Sequence, residues 1–207
     1  WATIPHVTNF DHADISALEE FRKQVNAEQR DGSARLTLLP FILKAAAHAL
    51  ERYPAFNSTV EGNESIVRSY RHIGFAVDTP EGLVVPVVRD ADKKGLLDIA
   101  RESDELVRLA RAGKLGPDRM QGGCFTVSNL GSAGGSGFTP IINAPEVAIL
   151  GVARSEIRPV WDGVQFQPRL MLPLCLSWDH RALDGVVAAR FLGFLAGMLS
   201  DFRRAVL

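Results

Sequence analysis

The chain has 207 residues, a size that suits one large domain on a prior of roughly 100–200 residues per domain. Its 46% hydrophobic and 23% charged residues are ordinary for a globular protein, and a net charge of −1 gives no reason to expect nucleic acid or an anionic membrane as partner. No run of about 18 apolar residues is present, so no transmembrane helix is expected.

The chain opens at Trp1 rather than Met, so it reads as part of a longer protein. Ile4 to Phe10 predicts a strand, and Asp11 can cap a helix whose apolar stripe is Ile15, Leu18, Phe21 and Val25, ending by Gly32. A second helix is expected from Thr37, a plausible cap, to Tyr53, with apolar residues on most faces, and Pro54 stops it. Strands follow at 57–60, 66–70, 73–78 and 83–88, with a turn at Pro80-Glu-Gly82. Leu96 to Ala112 predicts a third helix. Strands at 124–128, 147–152 and 170–178 come next, with a hairpin turn at Asp162-Gly163. A last helix runs from Gly185 to Phe202. This order predicts a two-layer α/β sandwich, because strict βαβ alternation is missing. No linker or repeat divides it. Cys124 and Cys175 sit in apolar strands and form no CxxC pair, so two buried reduced thiols are expected rather than a zinc or redox site.

Two segments carry polar groups where a strand ends. In Ser177-Trp-Asp-His-Arg-Ala-Leu-Asp-Gly185 an apolar strand gives way to a loop and then a helix. Such loops are where folds hold reactive groups, and an imidazole, titrating near ~6.5, suits proton transfer near neutral pH. His180 is therefore a candidate general base, or a residue that only bonds backbone. Asp184 can cap the helix or pair with an arginine. The second segment carries Thr126, Ser128 and Asn129 into a loop with glycines at 131, 134, 135 and 137. Its spacing fits neither a P-loop nor GxGxxG. A serine hydroxyl at a strand end can act as nucleophile or as oxyanion donor, and spacing does not choose between them.

The whole chain resembles the catalytic domains of dihydrolipoamide acyltransferases, the E2 components of 2-oxo acid dehydrogenase complexes. The resemblance rests on Ile4-Pro-His-Val-Thr, Phe56-Asn-Ser, Val77-Asp-Thr-Pro-Glu-Gly-Leu-Val-Val-Pro86 and Met120–Ser128. It continues through Phe138–Val152 and Asp179-His-Arg-Ala-Leu-Asp-Gly185. Met120–Ser128 and Pro168–Pro173 look most like the branch that transfers acetyl. The resemblance implies one catalytic domain over 1–207, without lipoyl or subunit-binding domains, and a chloramphenicol-acetyltransferase-type fold, a mixed sheet with helices packed on one side. It implies His180 as general base, Ser128 as stabiliser of the tetrahedral intermediate and Asp184 as a supporting residue. Arg22 and Asn129 are the implied coenzyme A contacts. Many relatives carry a second serine where Asn129 stands. It implies no metal and no tightly bound cofactor: coenzyme A is a substrate, and the lipoyl group rides on a separate domain. The implied assembly is a homotrimer with His and Ser from neighbouring chains. The trimers build a 24-chain cube, favoured over a 60-chain dodecahedron, that meets E1 and E3 through domains outside this chain. The apolar end, Ala205-Val-Leu207, fits a docked terminus. The implied location is the bacterial cytoplasm, or the mitochondrial matrix in a eukaryote. The alternatives are an E2 core for succinyl or branched acyl groups, a free-standing chloramphenicol-type acetyltransferase, and a non-catalytic scaffold of the same fold.

Overall fold

A computed structural model describes residues 3–28, 35–131 and 133–206. Gly32 and Leu207 lie outside the described residues. Eleven strands and four α-helices are present among them: β1 (His6–Asp14), α1 (Ser16–Glu28), α2 (Leu38–Arg52), β2 (Ser58–Glu61), β3 (Glu64–Val67), β4 (Ile73–Phe75), β5 (Val77–Thr79), β6 (Gly82–Val84), β7 (Val87–Val88), α3 (Leu96–Arg111), β8 (Phe125–Asn129), β9 (Ala148–Val152), β10 (Glu156–Trp161), β11 (Phe166–Asp179) and α4 (Gly185–Ser200).

Seven strands form one mixed sheet in the order β1-β11-β9-β8-β4-β7, with β10 beside β11. β4, β8 and β9 run parallel, and β1, β7 and β11 run against their neighbours. The helices form one layer, with α2 touching α3 and α4, and α4 touching α1 and β1. The expected two-layer sandwich is therefore observed. β2–β3 and β5–β6 are separate two-stranded ribbons.

The core lies between sheet and helices. Val127, Leu150, Leu174 and Leu176 point into it from the central strands, and Phe41, Leu50, Phe191 and Leu195 meet them from α2 and α4. Phe191 stacks on Phe56 at 4.0 Å and lies 5.8 Å from Phe125. These rings pin α4 to the sheet, and with it the loop between β11 and α4. The sheet's other face is covered by the segment 130–147 that joins β8 to β9. There Phe138 packs on Gly151 so closely that a Cβ at 151 would stand 2.8 Å from the ring, which is why only glycine fits.

Several local expectations need correction. The first strand runs to Asp14, because β1 pairs with β11 along its whole length, so Asp11 lies within a strand and caps nothing. Asp14 turns the chain instead, accepting hydrogen bonds from the Ser16 backbone N–H and hydroxyl. On α1, Leu18 is buried, but Phe21 is 48% exposed and only its ring edge meets Phe41. Thr37 precedes α2 without a capping hydrogen bond. The strands expected at 73–78 and 83–88 each split in two, since β4 and β7 join the main sheet while β5 and β6 pair with each other. Both cysteines are free and buried. Ala205 is buried as well.

Candidate functional site

Asp179, the last residue of β11, is 1% exposed. Its N–H donates to the Val147 carbonyl, and its carbonyl accepts from Ala182 and Leu183 N–H. Its carboxylate accepts from the Arg181 backbone N–H at 2.9 Å and from the Arg181 guanidinium at 2.6 Å. Burial alone would raise the Asp179 pKa, but the bonds and charge of Arg181 outweigh it and hold the carboxyl below its ordinary value. His180 sits between these two residues. Its N–H donates to the Pro5 carbonyl at 3.0 Å, and its exposed ring lies 4.8 Å from Trp178. The residue that leads into β1 thus fixes the His180 backbone at the end of β11, and the side chain stays exposed. Asp184 is the N-cap of α4, accepting from Val186 and Val187 N–H at 2.9 Å each. Of the two roles open to it, the structure shows the cap. Beside Arg181, a cleft of about 330 Å³ opens against Val60, Gly62, Asn63, Glu64 and Ser65 at the β2–β3 turn.

Ser128 lies near the end of β8, half-buried, on the sheet face away from the helices. Among the described residues no group hydrogen-bonds its hydroxyl. Asn129 accepts from the Gly131 N–H at 3.0 Å and so turns the chain into the glycine-rich loop, where Gly134 (φ 96°) and Gly135 (φ 88°) take left-handed conformations.

The strand register separates Ser128 from His180. Ser128 pairs with Gly151, and Gly151 with Cys175, five residues before His180. At ~3.3 Å per residue and ~4.8 Å per strand, the two residues stand roughly 19 Å apart. Within one chain they cannot share a substrate atom.

Arg22 lies on α1 in a cleft of about 490 Å³ with Lys23, Asn26, Arg35, Leu36 and Thr37. Its guanidinium grips Glu19 at 2.7 Å and donates to the Leu36 carbonyl at 2.8 Å. The hydrogen bond to Glu19 raises the Arg22 pKa, and the hydrogen bond from Arg22 lowers that of Glu19.

Three residues of interest were missed from the sequence. Asp179 and Arg181 flank His180 and were legible as neighbours of a candidate base. Glu146 is the third: 4% exposed, with a carboxyl that burial pushes up to about 7. Its only signal was an acidic residue opening an apolar run. The cysteines are no rival nucleophiles, since burial pushes the Cys124 thiol up to about 12 and raises that of Cys175. Among the described residues no group of three or more His, Cys, Asp or Glu could hold a metal ion, and no helix is long and apolar enough to cross a membrane.

A mixed sheet with one helix layer and a histidine loop at the end of its longest strand is the chloramphenicol acetyltransferase architecture. A solved chloramphenicol acetyltransferase superposes over 96% of this chain with a TM-score of 0.64 at 13% identity, which shows the shared fold. The family model of the 2-oxoacid dehydrogenases acyltransferase (catalytic domain) matches residues 1–207, and the chain belongs to that family. It is 58% identical to the dihydrolipoyllysine-residue acetyltransferase component of the pyruvate dehydrogenase complex of Cupriavidus necator, over all of this chain and 37% of that protein. A solved cubic core of the pyruvate dehydrogenase multienzyme complex matches with a TM-score of 0.98 and 54% identity, over all of this chain and 86% of that one. The Azotobacter vinelandii dihydrolipoamide acetyltransferase, crystallised to examine a serine, a histidine and an asparagine in its catalytic mechanism, matches with a TM-score of 0.98 and 53% identity, over all of this chain and 86% of that one. The chain spans well under half the length of the Cupriavidus relative.

Proposed function

We propose that this chain is the single-domain catalytic core, over 1–207, of a pyruvate dehydrogenase complex, and that it moves an acetyl group between a dihydrolipoyl thiol and coenzyme A. The observation that carries the mechanism is the separation of His180 from Ser128. Each is offered at its own end of the sheet, one ring exposed and one hydroxyl without a partner, so each fits a site completed by a neighbouring copy. A cyclic homotrimer gives every His180 one Ser128 from the next chain. In the Azotobacter enzyme the serine and histidine stand fifty-two residues apart and the asparagine four further on, the spacing of Ser128, His180 and Asp184 here.

A thiol with a pKa near ~8.5 is mostly protonated at neutral pH. His180 takes its proton as sulfur attacks the thioester carbonyl, and the neighbour's Ser128 hydroxyl donates to the oxygen that gains charge. Collapse breaks the old carbon–sulfur bond, and His180 returns the proton to the departing sulfur. No acyl-enzyme forms and no metal takes part. Asp184 supports the site by capping α4. Coenzyme A, a substrate rather than a bound cofactor, sets its phosphates near Arg22 in the cleft that also holds Lys23 and Arg35, and its thiol end near Asn129. The lipoyl group arrives on a separate domain, and E1 and E3 dock through domains outside this chain. The likeness to a cubic core favours a 24-chain cube of trimers over 60 chains, and bacterial relatives favour the cytoplasm.

Co-assembling His180→Ala and Ser128→Ala chains in equal amounts tests the shared site. Each variant alone is nearly inactive. Random mixing pairs an intact histidine with an intact serine at one interface in four, so roughly a quarter of wild-type activity is expected. A mixture no more active than either parent overturns the reading.

A further inference from the structure

The covering segment returns to the sheet at Glu146, two residues before β9. Glu146 is an acid in an unusual place. One carboxyl oxygen, Oε1, accepts from the Thr126 hydroxyl at 2.9 Å and from the Asn143 side-chain amide at 3.4 Å. The other, Oε2, is buried without a hydrogen-bond partner among the described residues. Among the described residues no cation pairs with it. Just before β8 the Cys124 thiol is uncharged, because burial holds it protonated. On the β2 side, Thr59 forms a backbone bridge with Glu146, and Arg68 stops at the Thr59 hydroxyl at 3.1 Å. On the β11 side, Asp179 donates its N–H to Val147, and its charge is matched by Arg181.

The surroundings are cut to fit this carboxyl. A Cβ on Gly123 would stand 3.1 Å from Glu146 Oε1, and a Cβ on Gly74 would stand 3.0 Å from Thr126 Oγ1. Two glycines thus clear the space for the hydroxyl and the acid. Both donors, the Thr126 hydroxyl and the Asn143 amide, point at Oε1, as they would at the carbonyl oxygen of a neutral acid, which leaves Oε2 as the hydroxyl. A carboxylate here would be a buried charge with neutral neighbours only, an arrangement proteins avoid by keeping the proton.

The position matters because of what the segment covers. Thr126 and Ser128 lie two residues apart on β8 and face the same way. The segment held by Glu146 also carries Phe138, which packs on Gly151, the register partner of Ser128. We propose that Glu146 is a positioning residue: as a neutral acid it latches the returning end of the β8–β9 segment to Thr126, and so sets the cover over the sheet face that presents Ser128. It acts through Thr126 and the covering segment, without touching substrate. Ionisation puts an unpaired charge into the buried site, and that desolvation cost loosens the latched state although both donors still reach Oε1. The proposal builds on the role read for Ser128, yet its test does not use acetyl transfer, so the two ideas fail separately.

The sign of the pH effect follows from the raised pKa. The folded protein keeps the Glu146 proton up to about 7, whereas the unfolded chain loses it near 4.5. The latch therefore contributes its full stability below that lower value, and the contribution is lost as pH rises through about 7. Glu146→Gln keeps the shape and the Oε1 acceptor and cannot ionise. In the intact assembly, the wild-type Tm is expected to fall relative to Glu146→Gln as pH rises from about 5 to about 7, with a constant gap above. Amide exchange at 133–145, corrected for its intrinsic pH dependence, should rise several-fold in wild type between pH 6 and 8 and stay level in Glu146→Gln. Glu146→Ala should be loose at every pH. Infrared spectra of the wild type at pH 6 should carry a protonated-carboxyl band that fades by pH 8, a readout that survives even if a variant fails to fold. Parallel Tm curves, equal exchange in wild type and Glu146→Gln, or no such band at pH 6 would overturn the proposal.

Discussion

The two ends of the central strands are built on opposite principles. At the His180 end the backbone and the carboxylates that flank the ring are tied down. Asp179 is closed by Val147, Ala182, Leu183 and Arg181, Pro5 holds the His180 backbone, and Asp184 closes the start of α4. At the Ser128 end the hydroxyl has no partner among the described residues, and the chain passes through Asn129 into a glycine-rich loop. A base must be aimed, because a misdirected imidazole misses the proton it should take, and a rigid loop does that. A hydroxyl that stabilises an oxyanion needs its donor free, and a partner within its own chain would compete for it.

Breaking the rigid end should cost most. His180→Ala removes the proposed base while leaving the Asp179–Arg181 pair intact, since the imidazole makes none of those bonds. A fall in kcat on the order of 10²–10⁴ with the assembly preserved is the expected outcome, read from steady-state kinetics and light scattering. A folded variant that keeps more than half of the wild-type kcat would contradict the role.

The open end comes next. Ser128→Ala should cost roughly 10²–10³ in kcat with little change in KM for coenzyme A, the usual loss for one oxyanion donor. The same site separates donor from nucleophile. Mass spectrometry after incubation with acetyl-coenzyme A alone should find no acetyl adduct on Ser128, and a near-stoichiometric adduct would reverse the assignment.

The smallest effect sharpens the contrast from the rigid side. Asp184→Ala leaves two N–H groups at the start of α4 without acceptors and should lower stability by about 1 kcal/mol, the usual loss for a cap. Asp184→Asn keeps an acceptor oxygen and should recover most of it. Urea denaturation of the three proteins decides this, and equal midpoints for Ala and wild type would show that the cap carries no load.

Much of this protein was open to a reader of its sequence. Hydrophobic spacing marked all four helices to within a few residues, since each helix has an apolar face that repeats locally. The strand-to-helix loop with His180 and the strand end with Ser128 stood out as polar breaks in apolar runs, and the ordered motifs led to the right family. What tertiary structure alone decided are the long-range matters. β1 outran its expected end because a distant strand paired with all of it, from His6 opposite Asp179 to Asp14 opposite Met171. Asp184 became a cap because the helix N-terminus offered two donors at 2.9 Å. Glu146 drew no notice in the sequence, because its burial depends on the covering segment folding over it. The wide gap between Ser128 and His180 followed from sheet order and register, which depend on pairings between segments far apart in the chain. Local sequence sets the period of each element and the chemistry at its ends. Which strands become neighbours, and so which side chains meet, is set by burial summed over the whole sheet.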